Sequence, residues 1–149
     1  MKFAALVLVG AMAVVPVKIQ AQKVSDYNPS VKCLALNMYH EARSQGTAGL
    51  FAVSAVVINR VNDSRFPNSV CEVVYQGPTR ESWKTRQHKN LPKYKRQYYP
   101  VKNKCQFSWY CDGKSDTPHN KKKYQELLDL SSAIMHNEIS FVDLSLIHI

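Results

Sequence analysis

Residues 36–46, LNMYHEARSQG, decide the fold. Read back by one turn, Leu34, Met38 and Glu41 stand at i, i+4 and i+7, with Ala35 and Ala42 flanking them. That spacing places all of them on one face of a helix. The helix is expected over about 31–44, with Ser30 as its N-cap and Gly46 as its end. Its inward face is apolar except for Glu41, so Glu41 is expected to point from the core side. A carboxyl held among apolar neighbours loses hydration, and its charged form is disfavoured. Such a group keeps its proton near neutral pH and can act as a general acid. The same placement also suits a structural pair with Arg43, Arg60 or a backbone group.

Outward from this helix the chain is mostly helical. Residues 22–30 are polar and contain Pro29, which suits a lead-in. TAGLFAVSAVVINRV (47–61) is apolar almost all round, the pattern of a helix buried in the middle of a domain. NDSRFPN is turn chemistry. SVCEVVYQ opens with Ser69 and Glu72 at capping-box spacing and predicts a short helix. Residues 80–104 then hold nine Lys or Arg, His88 and one acid, Glu81. Tyrosines and prolines are interleaved and no apolar period emerges, so this stretch reads as a long, solvated basic excursion. CQFSWYCDGK, with its Asp112-Gly113 turn, predicts a short strand or hairpin. Asn120 caps a last helix, KKKYQELLDLSSAIM, whose inward stripe is Tyr124, Leu127, Leu128, Ser131 and Met135.

Composition sets the boundaries. A chain of 149 residues with 45% hydrophobic content holds one domain with a real core. Residues 1–21 have Lys2, an apolar run from Phe3 to Val17 and a small residue, Ala21, at the end. That is the layout of a secretory signal peptide, and the run is short for a membrane span, which needs ~20 residues. The four cysteines, Cys33, Cys71, Cys105 and Cys111, all follow it. An even number in an exported domain predicts two disulfides, with three connectivities open. A zinc site suits them less well, because only Cys105 and Cys111 are near each other in sequence. Net charge is +9 for the whole chain. Without Lys2 and Lys18, 18 basic residues face 11 acidic ones, so the domain is drawn to polyanions.

Familiar catalytic motifs are few. His40-Glu41 begins an H-E-x-x-H pattern, but Ser44 stands where the second histidine belongs. G-x-S-x-G and the P-loop do not occur in the sequence. CLALNMYHEAR, GLFAVSAVVINRV, FPNSVCEVVYQ and QFSWYCDGK, in that order, resemble the cell wall hydrolase family of the spore-cortex-lytic enzyme type. The match runs from about residue 33 to 142, interrupted by the basic excursion.

The resemblance implies a small lysozyme-like (lytic transglycosylase-like) α+β single domain, mainly helical with a short β-hairpin, that grips peptidoglycan glycan strands. It implies cleavage of the bond between N-acetylmuramic acid and N-acetylglucosamine by a lytic transglycosylase, with lysozyme-type hydrolysis as the related outcome. The family's catalytic glutamate falls on Glu41. Tyr39 and Arg43 flank it and are expected to orient it. Gln106, Phe107 and Ser108 match a segment placed beside the catalytic helix, with Gln106 and Ser108 as hydrogen-bonding groups. Trp109 or Tyr110 is expected against a sugar face, although Phe107 and Trp109 also suit a core. Asp112 is the remaining acid of interest and reads as a turn residue. No cofactor, metal or obligate protein partner is expected, and the protein is expected to be a monomer. After loss of its leader it is expected to be secreted or periplasmic, with electrostatic attachment to the anionic envelope. The catalytic domain is assigned to 22–143 and is expected to be incomplete at its C-terminal end. Residues 144–149, LSLIHI, resemble a reading frame of a transposon adapter and are expected to be a non-native tail. A reading from another class is a non-catalytic basic exported protein that binds nucleic acid or the anionic envelope through the excursion.

Overall fold

The first helix, α1 (Pro29–Ala42), starts earlier than Ser30 capping requires. Asn28 is the N-cap: its Oδ1 accepts from Val31 N at 2.9 Å, and Pro29 takes the first helical position, where no N–H is needed. Asn28→Ala is expected to lower stability by about 1 kcal/mol in urea unfolding. The computed structural model describes residues 23–136. The leader at 1–21 and the tail at 144–149 lie outside the described residues.

α1 ends at Ala42, and a tight turn leads into α2 (Gly46–Val61). Gly46 therefore opens the second helix rather than closing the first. Its φ of +70° explains the glycine, since side chains with a Cβ rarely adopt that conformation. The expectation that α2 is buried all round is corrected. Only Leu50, Phe51, Ser54 and Val57 are fully inside, at three- and four-residue spacing, and Val56 is 43% exposed. Hydropathy counts apolar residues, but among the described elements α2 packs chiefly on α1 and α3.

α3 (Val70–Val74) forms as the capping residues imply, with Ser69 Oγ accepting from Glu72 N and donating to the Glu72 carboxylate at 2.6 Å. Cys33 of α1 is joined to Cys71 of α3, and Cys105 to Cys111, which resolves the three open connectivities. α5 (Lys121–Met135) is capped by Asn120 as expected and makes the most extensive contact with α1. The core thus surrounds α1, where Val31, Leu34, Ala35, Met38 and Tyr39 meet Val73, Val74, Leu127 and Leu128. Tyr27 adds a polar tie. Its hydroxyl donates to Asp129 and accepts from Gln125 Nε2, and burial, helped by Asp129, pushes its pKa up to about 12.

The strand expectation is reversed. Residues 108–111 wind into a 3-10 turn, closed off by the Cys105–Cys111 bridge. The hairpin lies instead inside the basic excursion, where β1 (Thr79–Glu81) pairs antiparallel with β2 (Tyr98–Pro100), with the short helix α4 (Trp83–Arg86) between them. The register opposes Arg80 to Tyr99 and Glu81 to Tyr98. Glu81 holds this unit together: it accepts from Arg96 Nη1 at 2.8 Å and from Thr85 Oγ1 at 3.1 Å. Arg96 also donates to the carbonyls of Leu91 and Lys89, each at 3.0 Å. A polar network, not an apolar face, organises the excursion, so hydrophobic periodicity does not reveal it. The described architecture is mainly helical with one two-stranded antiparallel sheet. Among the described residues no helix is long and apolar enough to cross a membrane.

Candidate active site

Glu41 occupies the last turn of α1, on the side that Leu34 and Met38 bury completely one and two turns earlier. The expectation that Glu41 is held among apolar neighbours is corrected: Glu41 is exposed. A helix wheel gives angle and not axial position, and the packing that covers Leu34 and Met38 leaves the final turn open. The structural-pair alternative finds no support either. Among the described residues Glu41 forms no ion pair, Arg43 lies over the Tyr39 ring at 4.8 Å, and Arg60 stands 5.3 Å from the Phe66 ring and 5.7 Å from the Phe107 ring.

Tyr39 is enclosed. It is 1% exposed, and its hydroxyl accepts the N–H of Asn120 at 3.0 Å. Edge-on contact with Tyr124 completes its packing. Tyr39 thereby ties α1 to the cap of α5, and it also borders a cavity of about 450 Å³ shared with Arg43, His119 and Lys123.

The segment 106–109 alternates. Phe107 and Trp109 turn inward, whereas Gln106 and Ser108 are exposed. Trp109 is 7% exposed, as suits a core residue. Its indole N–H donates to Asn37 Oδ1 at 3.0 Å, and its ring stacks on His40 with centroids 4.5 Å apart. Gln106 is held by its backbone, which donates to Gln76 O at 2.8 Å. Gly77 lies close against this segment: a Cβ there would meet the Cys105 backbone at 3.0 Å, tighter than ordinary contact. A shallow cavity of about 470 Å³ opens beside Gln106, bounded by Gln76, Pro78 and Lys104.

Two features escaped the sequence reading. Asn37 lies one turn before Glu41 on the same side, is fully buried, and has an Nδ2 with no partner among the described residues. The i, i+4 relation to Glu41 was visible and could have singled it out. The second feature is a cavity of about 340 Å³ that includes His40, Arg43, Trp109, Asp112, Asp116 and His119. His40 Nε2 lies 3.0 Å from the Asp116 carbonyl oxygen. Burial raises the Asp116 carboxyl above the usual carboxylate range, Asp112 adds to that, and His40 draws it back down. Asp112 therefore helps to line a cavity, and it also keeps its turn role by accepting Lys114 N at 2.7 Å.

A family model described as Cell Wall Hydrolase matches residues 44–141. That match begins three residues after Glu41. The chain is also similar to the spore cortex-lytic enzyme of Bacillus subtilis (strain 168), 41% identical over 49 residues, which are 33% of this chain and 16% of that relative. The matched stretch thus spans less than a fifth of the relative's length. No solved structure matches the chain.

Proposed function

Since this chain belongs to the cell wall hydrolase family, we propose that it cleaves the glycan strands of peptidoglycan, with Glu41 as the catalytic group. The observation that carries the reading is the position of Glu41: open at the end of α1, and committed to no cation among the described residues. An open carboxyl is reachable by a substrate. A glycan strand laid across the end of α1 would bring its glycosidic oxygen within reach of the carboxyl.

The chemistry is that of a lytic transglycosylase. Protonated Glu41 gives its proton to the glycosidic oxygen between N-acetylmuramic acid and N-acetylglucosamine as the C1–O bond breaks. The resulting carboxylate then takes the proton of the muramic acid 6-hydroxyl as that oxygen bonds to C1. The product is a 1,6-anhydro ring, Glu41 is protonated again, and no water is consumed. One group serves both steps, so no opposing carboxylate is needed, in contrast to the usual pair in glycosidases. Gln106 and Ser108, the exposed members of their segment, are assigned to the acetamido and hydroxyl groups of the sugar. The fold assignment that goes with this reading is lysozyme-like, in an exported protein whose leader is 1–21.

Incubation of the protein with purified peptidoglycan tests the reaction class. Release of soluble muropeptides is the expected result. Salt-sensitive DNA binding with no muropeptide released would contradict it and favour a non-catalytic basic protein.

A further inference from the structure

The basic hairpin contains a further cavity, of about 480 Å³, separate from those near α1 and Gln106. Arg80, Glu81, Ser82, Trp83, Lys84, Arg86, Gln97 and Tyr99 surround it. Two properties set it apart. Its aromatic side chains are open, with Trp83 60% and Tyr99 57% exposed, although rings of this size are normally covered. Its cations Arg80, Lys84 and Arg86 are exposed and have no carboxylate partner among the described residues. The one acid present is already engaged, since Glu81 is bonded to Arg96 and Thr85. That bond neutralises Glu81 and fixes β1 against the loop, so the cavity keeps its shape before any ligand arrives.

We propose that this cavity binds a phosphate-bearing saccharide of the cell envelope. This rests on the wall-directed function given above and adds an anchoring site to it. A sugar presents an apolar C–H face that packs on Trp83 and Tyr99, the latter directly across the hairpin from Arg80. A sugar phosphate carries one full negative charge as a diester and close to two as a monoester near neutral pH, with several acceptor oxygens, which matches three cations lining one cavity better than a lone carboxylate does. The cavity is of ordinary small-ligand size. Single-stranded nucleic acid uses the same residue types, but along a groove that tracks its backbone, whereas these residues close around one pocket.

Binding is measured by co-sedimentation of the full chain with four probes: wall fragments bearing a phosphodiester-linked glycopolymer, the same fragments stripped of it by hydrofluoric acid, phosphatidylcholine vesicles containing lipopolysaccharide, and a single-stranded DNA oligonucleotide. Capture by unstripped wall or by lipopolysaccharide vesicles is expected, and whichever captures identifies the source of the phosphosugar. Trp83→Ala/Tyr99→Ala and, separately, Arg80→Ser/Lys84→Ser/Arg86→Ser are each expected to weaken that capture about tenfold or more. Both variants should leave the thermal midpoint and the cleavage of soluble glycan fragments unchanged. Loss with the charge variant alone would reduce the site to general polyanion attraction and overturn the proposal. Equal capture of stripped and unstripped wall without capture by vesicles, or tighter capture of DNA through the same residues, would overturn it too. Glu41→Gln should bind as the parent does, so a failed anchoring site and a failed catalytic assignment give different results.

Discussion

Glu41→Gln is expected to lower the rate of peptidoglycan cleavage by about 10²–10⁴-fold, the usual worth of a positioned general acid–base group. The amide keeps the size and polarity of the side chain but cannot pass a proton to the leaving oxygen or recover one from the 6-hydroxyl. Stability should move by no more than about 0.5 kcal/mol, because the side chain is exposed and holds no ion pair among the described residues. The rate is read from clearing of a peptidoglycan suspension, and stability from urea unfolding. A residue needed only for folding would give the opposite pattern, with a lowered unfolding midpoint and a near-normal rate per folded molecule.

The second large effect is structural. Trp109→Ala is expected to cost about 3–5 kcal/mol in urea unfolding, the range for removing a large buried aromatic side chain. The deletion empties the space between His40, Tyr75 and Tyr110, and it leaves Asn37 Oδ1 without its indole donor. Asn37 already has an unpartnered Nδ2 among the described residues, so its whole amide would then be buried without protein partners. Trp109→Phe separates the contributions: it keeps most of the ring contact and removes the donor, for an expected loss of about 1–3 kcal/mol. A sugar platform would behave otherwise. Its alanine variant would raise KM for glycan with stability unchanged, and that result would restore Trp109 to the binding surface.

The helices were legible because their signals are local. Ser69 and Asn120 cap in the sequence as they do in space, and the stripe Leu127, Leu128, Ser131 faces α1 as its spacing implies. Where packing decides, the sequence was less informative. The apolar run of α2 implied enclosure on every side, yet among the described residues Val56 stands open and the main neighbours of α2 are α1 and α3. The hairpin was hidden since Glu81, Thr85 and Arg96 build it by hydrogen bonds between residues that are as common in unstructured basic loops. In the candidate site, the angle of Glu41 on α1 was readable and its exposure was not. The inward turn of Tyr39 and Trp109 depends on Asn120 and Asn37, 81 and 72 residues away in the chain, and no local pattern announces either bond. Cysteine count gave the number of bridges but not their partners, which only the approach of α1 to α3 fixes.

Digestion of purified peptidoglycan in heavy-oxygen water, followed by mass spectrometry of the released muropeptides, tests the central claim most directly. If Glu41 acts first as acid and then as base toward the 6-hydroxyl, the new muramic acid ends are 1,6-anhydro rings and carry no heavy oxygen. Reducing ends labelled at C1 would mean that water attacks instead, and the single-carboxyl mechanism would be wrong.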